Sequence, residues 1–147
     1  MKLFGLILFA FGMMMPGSPW TTDFRQATYE AREKSKVILL NFSGSDWCIP
    51  CMRLKKEIFE TDVFDTYAVG NLELVNADFP RNKKNKLSPR LSQQNDSLAS
   101  VYNKEGKFPY TVLLDANGKV LKVWDGYSKV SPEEFVNQVK NIVDASR

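Results

Sequence analysis

Histidine is absent from the 147 residues of this chain, and cysteine occurs only twice. A structural zinc site usually takes four protein ligands and a catalytic one takes three, so carboxylates would have to complete any zinc site built within one chain. A small domain held together by disulfides would carry several cysteine pairs, whereas this chain has one close pair, Cys48 and Cys51. The composition therefore argues against both a zinc protein and a disulfide scaffold.

A strong excess of charge is also missing, because 20 lysines and arginines are offset by 17 acidic residues and leave a net charge of +3. The basic residues are dispersed along most of the chain, which argues against a dedicated nucleic-acid surface, and we expect no nucleic-acid partner. The sequence shows no internal repeat, and its length suits one domain with a sizeable core.

Long apolar runs are restricted to the N-terminus. Lys2 precedes an unbroken run of 13 apolar or glycine residues at 3–15, and a Pro-Gly-Ser-Pro segment at 16–19 ends it. A membrane-spanning helix needs about 20 residues, so this run is typical of a secretory signal peptide. We therefore expect a signal peptide over 1–18, a folded domain over 19–147 and an exported protein. No small-x-small cleavage motif precedes Trp20, which leaves a retained N-terminal anchor as the alternative.

The cysteine pair lies between a strand-like run and a helix-like segment. The run at 37–42 is apolar except for Asn41. The segment after Cys48 has apolar residues at helical spacing, namely Ile49, Met52, Leu54, Ile58 and Phe59. A strand that delivers a Cys-x-x-Cys pair to the start of a helix is a redox geometry.

The helix start predicts different roles for the two cysteines. Unpaired amides and the helix dipole favour negative charge there, so we expect the thiol pKa of Cys48 to lie below that of an ordinary cysteine. Pro50 fits the first turn of a helix, where its missing N–H costs nothing. We expect Cys48 to be the exposed nucleophile and Cys51, one turn later, to face the interior and to release the product.

The rest of the chain predicts an α/β domain. Strands are expected at 37–42, 72–78, 110–114 and 119–124, and helices at 22–34, 49–59, 61–68, from 96 or 97 to about 105, and from 132 onward. The first two strands flank a helix and should form a parallel βαβ unit with a right-handed crossover. Asn117 and Gly118 should form the turn of a hairpin between the last two strands. No strand is recognised before Thr22.

The segment 80–95 is expected to be an irregular loop. It has no acidic residue and five basic ones: Arg81, Lys83, Lys84, Lys86 and Arg90. A solvated loop and a docking edge for an acidic partner both fit this composition.

Two motifs carry a family resemblance. The segment Trp-Cys-Ile-Pro-Cys at 47–51 follows a buried strand, and Phe-Pro-Tyr-Thr at 108–111 opens a later one. This combination resembles the thioredoxin superfamily, and the segment 42–48 is similar to secreted thioredoxin-like domains of bacterial envelopes. The resemblance covers roughly residues 31–145. It implies a thioredoxin-like α/β fold with a mixed four- to five-stranded sheet, a parallel βαβ unit plus a C-terminal β-hairpin, and helices on both faces.

The resemblance also implies an activity and its partners. The expected protein is a periplasmic thiol–disulfide oxidoreductase that needs no cofactor and acts as a monomer. Its expected partners are disulfide-containing client proteins and a membrane or soluble thiol electron donor. The pair Ile49-Pro50 lacks the histidine that strongly oxidising relatives often carry, which favours a reductant or moderate exchanger over a strong oxidant.

Further site residues follow from the same resemblance. The Phe108–Pro109 bond should be cis, with Pro109 beside Cys48, and Trp47 should shield the cysteines and pack under a bound peptide. Relatives carry a buried acid that handles the proton of the second cysteine, but the nearest match here is Asn41, which is displaced by one residue and is an amide that accepts no proton at neutral pH. Asp46 is the only carboxylate close in sequence, and it either takes a proton or pKa role or is an exposed loop acid.

Other functional classes compete with this one. A structural disulfide is disfavoured because so short a loop gains little stability on closure. A redox-inert thioredoxin-like binding module or a copper(I)-handling chaperone would use Cys48, Cys51 and Met52 as soft ligands. A peroxide-reducing enzyme of related fold is disfavoured because the chain has no separate peroxidatic cysteine.

Overall fold

The computed structural model describes residues 20–146, so the predicted signal peptide at 1–18 lies outside the described residues. Five strands form one mixed sheet in the order β1-β3-β2-β4-β5. The strands are β1 (Trp20–Thr21), β2 (Val37–Ser43), β3 (Leu72–Asp78), β4 (Tyr110–Leu114) and β5 (Val120–Asp125). β3 pairs in parallel with β1 and β2, whereas β4 pairs antiparallel with β2 and β5. The predicted βαβ unit and C-terminal hairpin are confirmed.

Helices cover both faces of the sheet. They are α1 (Phe24–Glu33), α2 (Ile49–Leu54), α3 (Asp62–Asn71), α4 (Pro89–Tyr102) and α5 (Pro132–Ser146). A π-helical turn, Lys55–Phe59, continues α2, and a 3₁₀ turn, Lys83–Asn85, precedes α4. Asp23, Thr61 and Ser131 accept hydrogen bonds from the amides three residues ahead, as N-cap residues do. Within residues 20–146, no helix combines the length and apolar character that a membrane crossing requires.

The strand β1 corrects the prediction that no strand precedes Thr22. It has only two residues, which pair with Leu74 and Val75 of β3. So short a strand leaves no alternating pattern in the sequence. Its position is supported by the Trp20 ring, whose centroid lies 4.9 Å from that of Phe59.

The helix α4 corrects the prediction of a loop over 80–95. It begins at Pro89, and the Ser88 hydroxyl accepts a hydrogen bond from the Leu91 amide at 3.3 Å. Asn95 is only 1% exposed and donates to the Asp78 carbonyl at 3.0 Å. A polar residue therefore occupies a buried position of this helix. It interrupts the spacing of apolar residues at every third or fourth position from which a helix is recognised in a sequence.

The central strand β2 is buried along its whole length. Val37 and Leu39 pack into a cluster with α3, α5 and the helix that follows the cysteines, whereas Ile38, Leu40 and Phe42 pack into a cluster with α1 and α4. Coverage of both faces explains the nearly unbroken apolar run at 37–42. The carboxyl ends of the parallel strands β2 and β3 meet at one edge of the sheet, and the cysteine pair follows β2 at that edge.

Candidate redox site

The cysteine pair lies at the start of α2. Cys48 is the N-cap residue and is joined to Cys51 by a disulfide. The Cys48 Sγ accepts a hydrogen bond from the Cys51 amide at 3.3 Å, and Pro50 lies in the first turn. One of the amides that a helix start leaves unpaired therefore points at this sulfur, where it would stabilise a thiolate.

The expected contrast in exposure between the two cysteines is wrong for the disulfide form. Cys48 is 5% exposed and Cys51 is 4% exposed. The residues that reach solvent are Ile49, which is 68% exposed, and Pro50. An approaching partner would meet these side chains first, and they form an apolar margin beside the sulfurs.

The two sulfurs nevertheless differ in their surroundings, because Cys51 lines a cavity of about 630 Å³. Neutral polar residues Asn41, Ser43 and Asn76 share that lining, together with Lys55, Glu60 and Asp65. Trp20, Met52 and Phe59 complete a lining that mixes polar and apolar side chains. A cavity of this size has room for water, which needs about 30 Å³ per molecule, beside its polar residues. Cys51 therefore has a polar, hydratable space beside it.

Asn41 occupies the buried part of this cavity and is 6% exposed. Its Nδ2 donates to Asn76 Oδ1 at 3.1 Å, and its Oδ1 accepts from the Thr111 hydroxyl at 3.0 Å. The side chains of three neighbouring strands are thus joined by neutral hydrogen bonds. The donor and the acceptor of this buried amide are therefore both used.

Trp47 is held by contacts on several sides. Its Nε1 donates to the Phe79 carbonyl at 2.7 Å, and its ring meets Phe108 edge-on at a centroid distance of 5.4 Å. The guanidinium of Arg81 lies 3.7 Å from the centre of the indole. A Cβ on Gly44 would lie 2.3 Å from the indole Cε2, so the ring rests against bare backbone. These contacts fix the indole directly before Cys48.

The Phe108–Pro109 bond is cis, as the resemblance implies. Pro109 is buried, and its carbonyl accepts a hydrogen bond from the Gly126 amide at 2.9 Å. The next residue, Tyr110, pairs with Phe42 at the end of β2. Phe108 contacts Trp47, so the proline segment and the cysteine segment lie at the same edge of the sheet.

Asp46 binds a distant part of the chain. Its Oδ1 accepts from the Arg81 amide at 2.9 Å, and its Oδ2 accepts from the Asn82 amide at 2.9 Å and from the Asn85 side chain at 3.0 Å. These hydrogen bonds, led by that from Arg81, hold the pKa of Asp46 below its ordinary value. The carboxylate is therefore ionised at neutral pH and is engaged in fixing a loop.

The residues that form hydrogen bonds with Asp46 and Trp47 were not identified from the sequence. Phe79, Arg81 and Asn82 follow β3 and lie more than 30 positions away along the chain. Only the parallel pairing of β2 with β3 brings the two following segments together. The predicted parallel βαβ unit could have indicated this contact, because the carboxyl ends of adjacent parallel strands meet at one edge of the sheet.

Comparison with known proteins agrees with this geometry. The family model for a thioredoxin-like domain matches residues 24–142. The disulfide bond reductase DsbH of Chlamydia pneumoniae is 32% identical over 119 residues, which cover 81% of this chain and 69% of that protein. The thiol-disulfide oxidoreductase ResA of Geobacillus thermodenitrificans is 29% identical, with 71% of this chain and 66% of that protein covered. A solved structure of a DsbH oxidoreductase matches with a TM-score of 0.80 and 27% identity, covering 97% of this chain and 95% of that one.

Proposed function

The chain belongs to the thioredoxin-like domain family, and on that premise we propose that it is an exported thiol–disulfide oxidoreductase that reduces disulfides in client proteins. The observation that carries the proposal is the place of Cys48 at the start of α2, bonded to Cys51 and accepting its amide hydrogen. This arrangement stabilises a sulfur anion at one cysteine and keeps a second sulfur within bonding distance of it.

The reaction proceeds through two exchanges. The Cys48 thiolate attacks one sulfur of a client disulfide, which forms a mixed disulfide and expels the other client sulfur as a thiolate. The Cys51 thiolate then attacks the Cys48 Sγ, which closes the internal disulfide and releases the first client sulfur. Two electrons pass from the cysteine pair to the client, the pair gives up its two thiol protons to water, and the two client thiolates take up two protons from water. A membrane or soluble thiol donor then reduces the pair again.

The proton of Cys51 must leave before the second exchange. Asn41 cannot accept it, and the Asp46 carboxylate is engaged by the loop after β3. The polar cavity that Cys51 lines offers a route through water to solvent. This route requires no buried carboxylate.

Client binding is assigned to the residues around the sulfurs. Ile49 and Pro50 supply the exposed apolar margin, and Trp47 supplies a fixed aromatic surface. Phe108 and Pro109 bring the start of β4 to the same edge, where an extended client segment would lie. The absence of histidine between the cysteines favours reduction over strong oxidation, in keeping with the reductase name that DsbH bears.

Export is the further part of the proposal. Residues 1–18 have the order of charge and apolar run that signal peptides have, so the folded domain over 19–147 would act in the periplasm as a monomer. The mass of the protein recovered from the periplasm tests this directly. A mass that includes residues 1–18 on membrane-bound protein would show a retained anchor instead.

The activity is tested by reduction of insulin with a dithiol as electron donor. We expect turnover by the unaltered protein, none by Cys48→Ser, and a trapped mixed disulfide at Cys48 in Cys51→Ser. Equal reduction by the unaltered protein and Cys48→Ser would overturn the assignment. The assignment would also be overturned if the cysteine pair bound copper(I) stoichiometrically and underwent no thiol–disulfide exchange with any disulfide tested.

A further inference from the structure

A group of unpaired positive charges lies on the segment after β3. We call residues 79–88 the basic loop; it carries Arg81, Lys83, Lys84 and Lys86, all exposed, and no acidic residue. Among residues 20–146, no carboxylate lies within ion-pair distance of these three lysines. Within the same residues Lys119 and Lys122 are also unpaired, so the distinction of the loop is that its basic residues are close together in the chain. The loop therefore presents three lysines to solvent without an ion-pair partner, although the Asp46 carboxylate binds its backbone.

The basic loop is attached to the redox site through backbone and side-chain contacts. Asp46 binds the amides of Arg81 and Asn82, and the Trp47 indole binds the Phe79 carbonyl. The Arg81 guanidinium stacks on the same indole, 3.7 Å from its centre. Asp46 and Trp47 are the two residues directly before Cys48. The charges are thus held at a defined place beside the reactive pair.

A groove of about 600 Å³ runs between the basic loop and the start of α4. Lys83 and Lys86 line it together with the apolar Phe79 and Leu87. Asp78 and Asp96 also line it, and Asp78 accepts hydrogen bonds from the Ser45 amide and hydroxyl. The groove can hold a short peptide segment whose acidic side chains face the lysines.

We propose, resting on the function assigned above, that the basic loop makes the protein select clients whose disulfide is flanked by acidic residues. Attraction between opposite charges raises association rates when it brings the reacting groups together, and the loop lies where an acidic flank would place the client sulfur near Cys48. A loop that served only to be solvated would not need the three hydrogen bonds to Asp46. An anionic lipid surface would meet the same charges, but attraction to lipid would not direct a disulfide to Cys48.

The test compares three short peptides that contain the same disulfide with acidic, neutral or basic flanking residues. The second-order rate of their reduction by the fully reduced protein is measured in single turnover. At about 10 mM ionic strength we expect the acidic peptide to react about tenfold faster than the neutral one, and at about 0.5 M the difference should shrink to about twofold or less, because screening shortens the range of the attraction.

The double variant Lys83→Glu/Lys84→Glu should lower the ratio of the acidic to the neutral rate at least about tenfold at low ionic strength, because it inverts two charges. The matched control is Lys119→Glu/Lys122→Glu, which changes the net charge equally. Lys119 lies in the turn between β4 and β5, at the end of β4 opposite to Pro109, and Lys122 lies on β5. The control should keep the ratio of the unaltered protein.

Three results would overturn the proposal: an acidic-to-neutral ratio near one, an equal fall of that ratio in both double variants, or loop-dependent binding to anionic phosphatidylglycerol vesicles without discrimination among the peptides. Failure to reduce even the neutral peptide would instead remove the proposed function. The two failures are therefore distinguishable.

Discussion

The two sides of the cysteine pair differ in where they carry charge. On the side of Trp47 lies the basic loop, with a guanidinium on the indole and a carboxylate that binds backbone amides. On the side of Cys51 lies the cavity, whose buried polar side chains, Asn41 and Ser43, are neutral, whereas its charged residues are exposed or half-buried. One side is charged and solvent-facing, and the other is polar without a buried charge.

The difference follows from the cost of burial. An ionised group without a partner is expensive to remove from water, whereas a neutral amide needs only its hydrogen bonds to be satisfied. Asn41 meets that condition through Asn76 and Thr111. The exposed lysines lose little hydration and can still act on a charged client at a distance of about a Debye length. The lysines of the basic loop are thus exposed, where they can attract a charged client, and the buried polar side chains beside Cys51 are neutral.

The largest expected effect comes from placing charge on the neutral side. Asn41→Asp should lower the free energy of unfolding by about 3 kcal/mol at pH 7, because it buries a carboxylate that lacks a positive partner. Burial raises the pKa of such a carboxyl in the folded state, so the penalty should be smallest below the unfolded pKa of about 3.9 and grow as the pH rises through the folded pKa. Urea unfolding at pH 4 and pH 7 measures it.

The control for this variant is Asn76→Asp, at the half-buried position directly opposite on β3. Its penalty should be smaller, because the carboxylate retains more contact with water. Equal losses at both pH values for Asn41→Asp would contradict the electrostatic explanation and would indicate a packing defect.

The next effect concerns the support of Trp47 on the charged side. Gly44→Ala would put a methyl group 2.3 Å from the indole Cε2, so the ring must move. We expect a loss of about 2 kcal/mol in unfolding free energy. The hydrogen bond from the Trp47 Nε1 to the Phe79 carbonyl should weaken when the ring moves, and this should change the tryptophan emission. Gly70→Ala in α3 is the matched control, since nothing lies within 4 Å of its added Cβ. The control should be neutral or stabilising, and an equal loss in both would contradict the assigned contact.

The smallest effect concerns the anchor of the basic loop. Asp46→Ala should leave the overall fold intact and speed amide hydrogen exchange at Arg81 and Asn82 by about tenfold or more, because each amide loses a charge-assisted hydrogen bond. In the unaltered protein the protection of these amides, taken relative to their intrinsic exchange rate at each pH, should be full above the ordinary Asp pKa of 3.8 and should be lost as the pH falls through the lowered pKa of Asp46. Unchanged protection in Asp46→Ala would show that Trp47 alone holds the loop.

The sequence was sufficient for the elements whose local pattern agrees with their tertiary role. The apolar run at 37–42, the Cys-x-x-Cys pair with Pro50, and the Asn117-Gly118 turn each carry a backbone preference that the fold uses. The cis bond before Pro109 came from the family resemblance and not from any local pattern.

The elements that escaped prediction depend on contacts between distant residues. β1 is held by Trp20 against Phe59 and by pairing with β3. The interior position of α4 at Asn95 is polar because Asn95 binds the Asp78 carbonyl. The role of Asp46 is set by amides that follow another strand. In each case the deciding partner is close only after the chain has folded.

The Asn41 amide has one further consequence, for the alignment of the sheet. Asn76 on one side and Thr111 on the other stand directly opposite Asn41, the first in a parallel pair and the second in an antiparallel pair. A slip of either neighbouring strand by one residue would turn its polar side chain to the opposite face and leave the central amide buried without that partner. A single buried amide in the central strand therefore penalises misalignment of both neighbouring strands, and so helps to set the register of the sheet edge that carries the redox site.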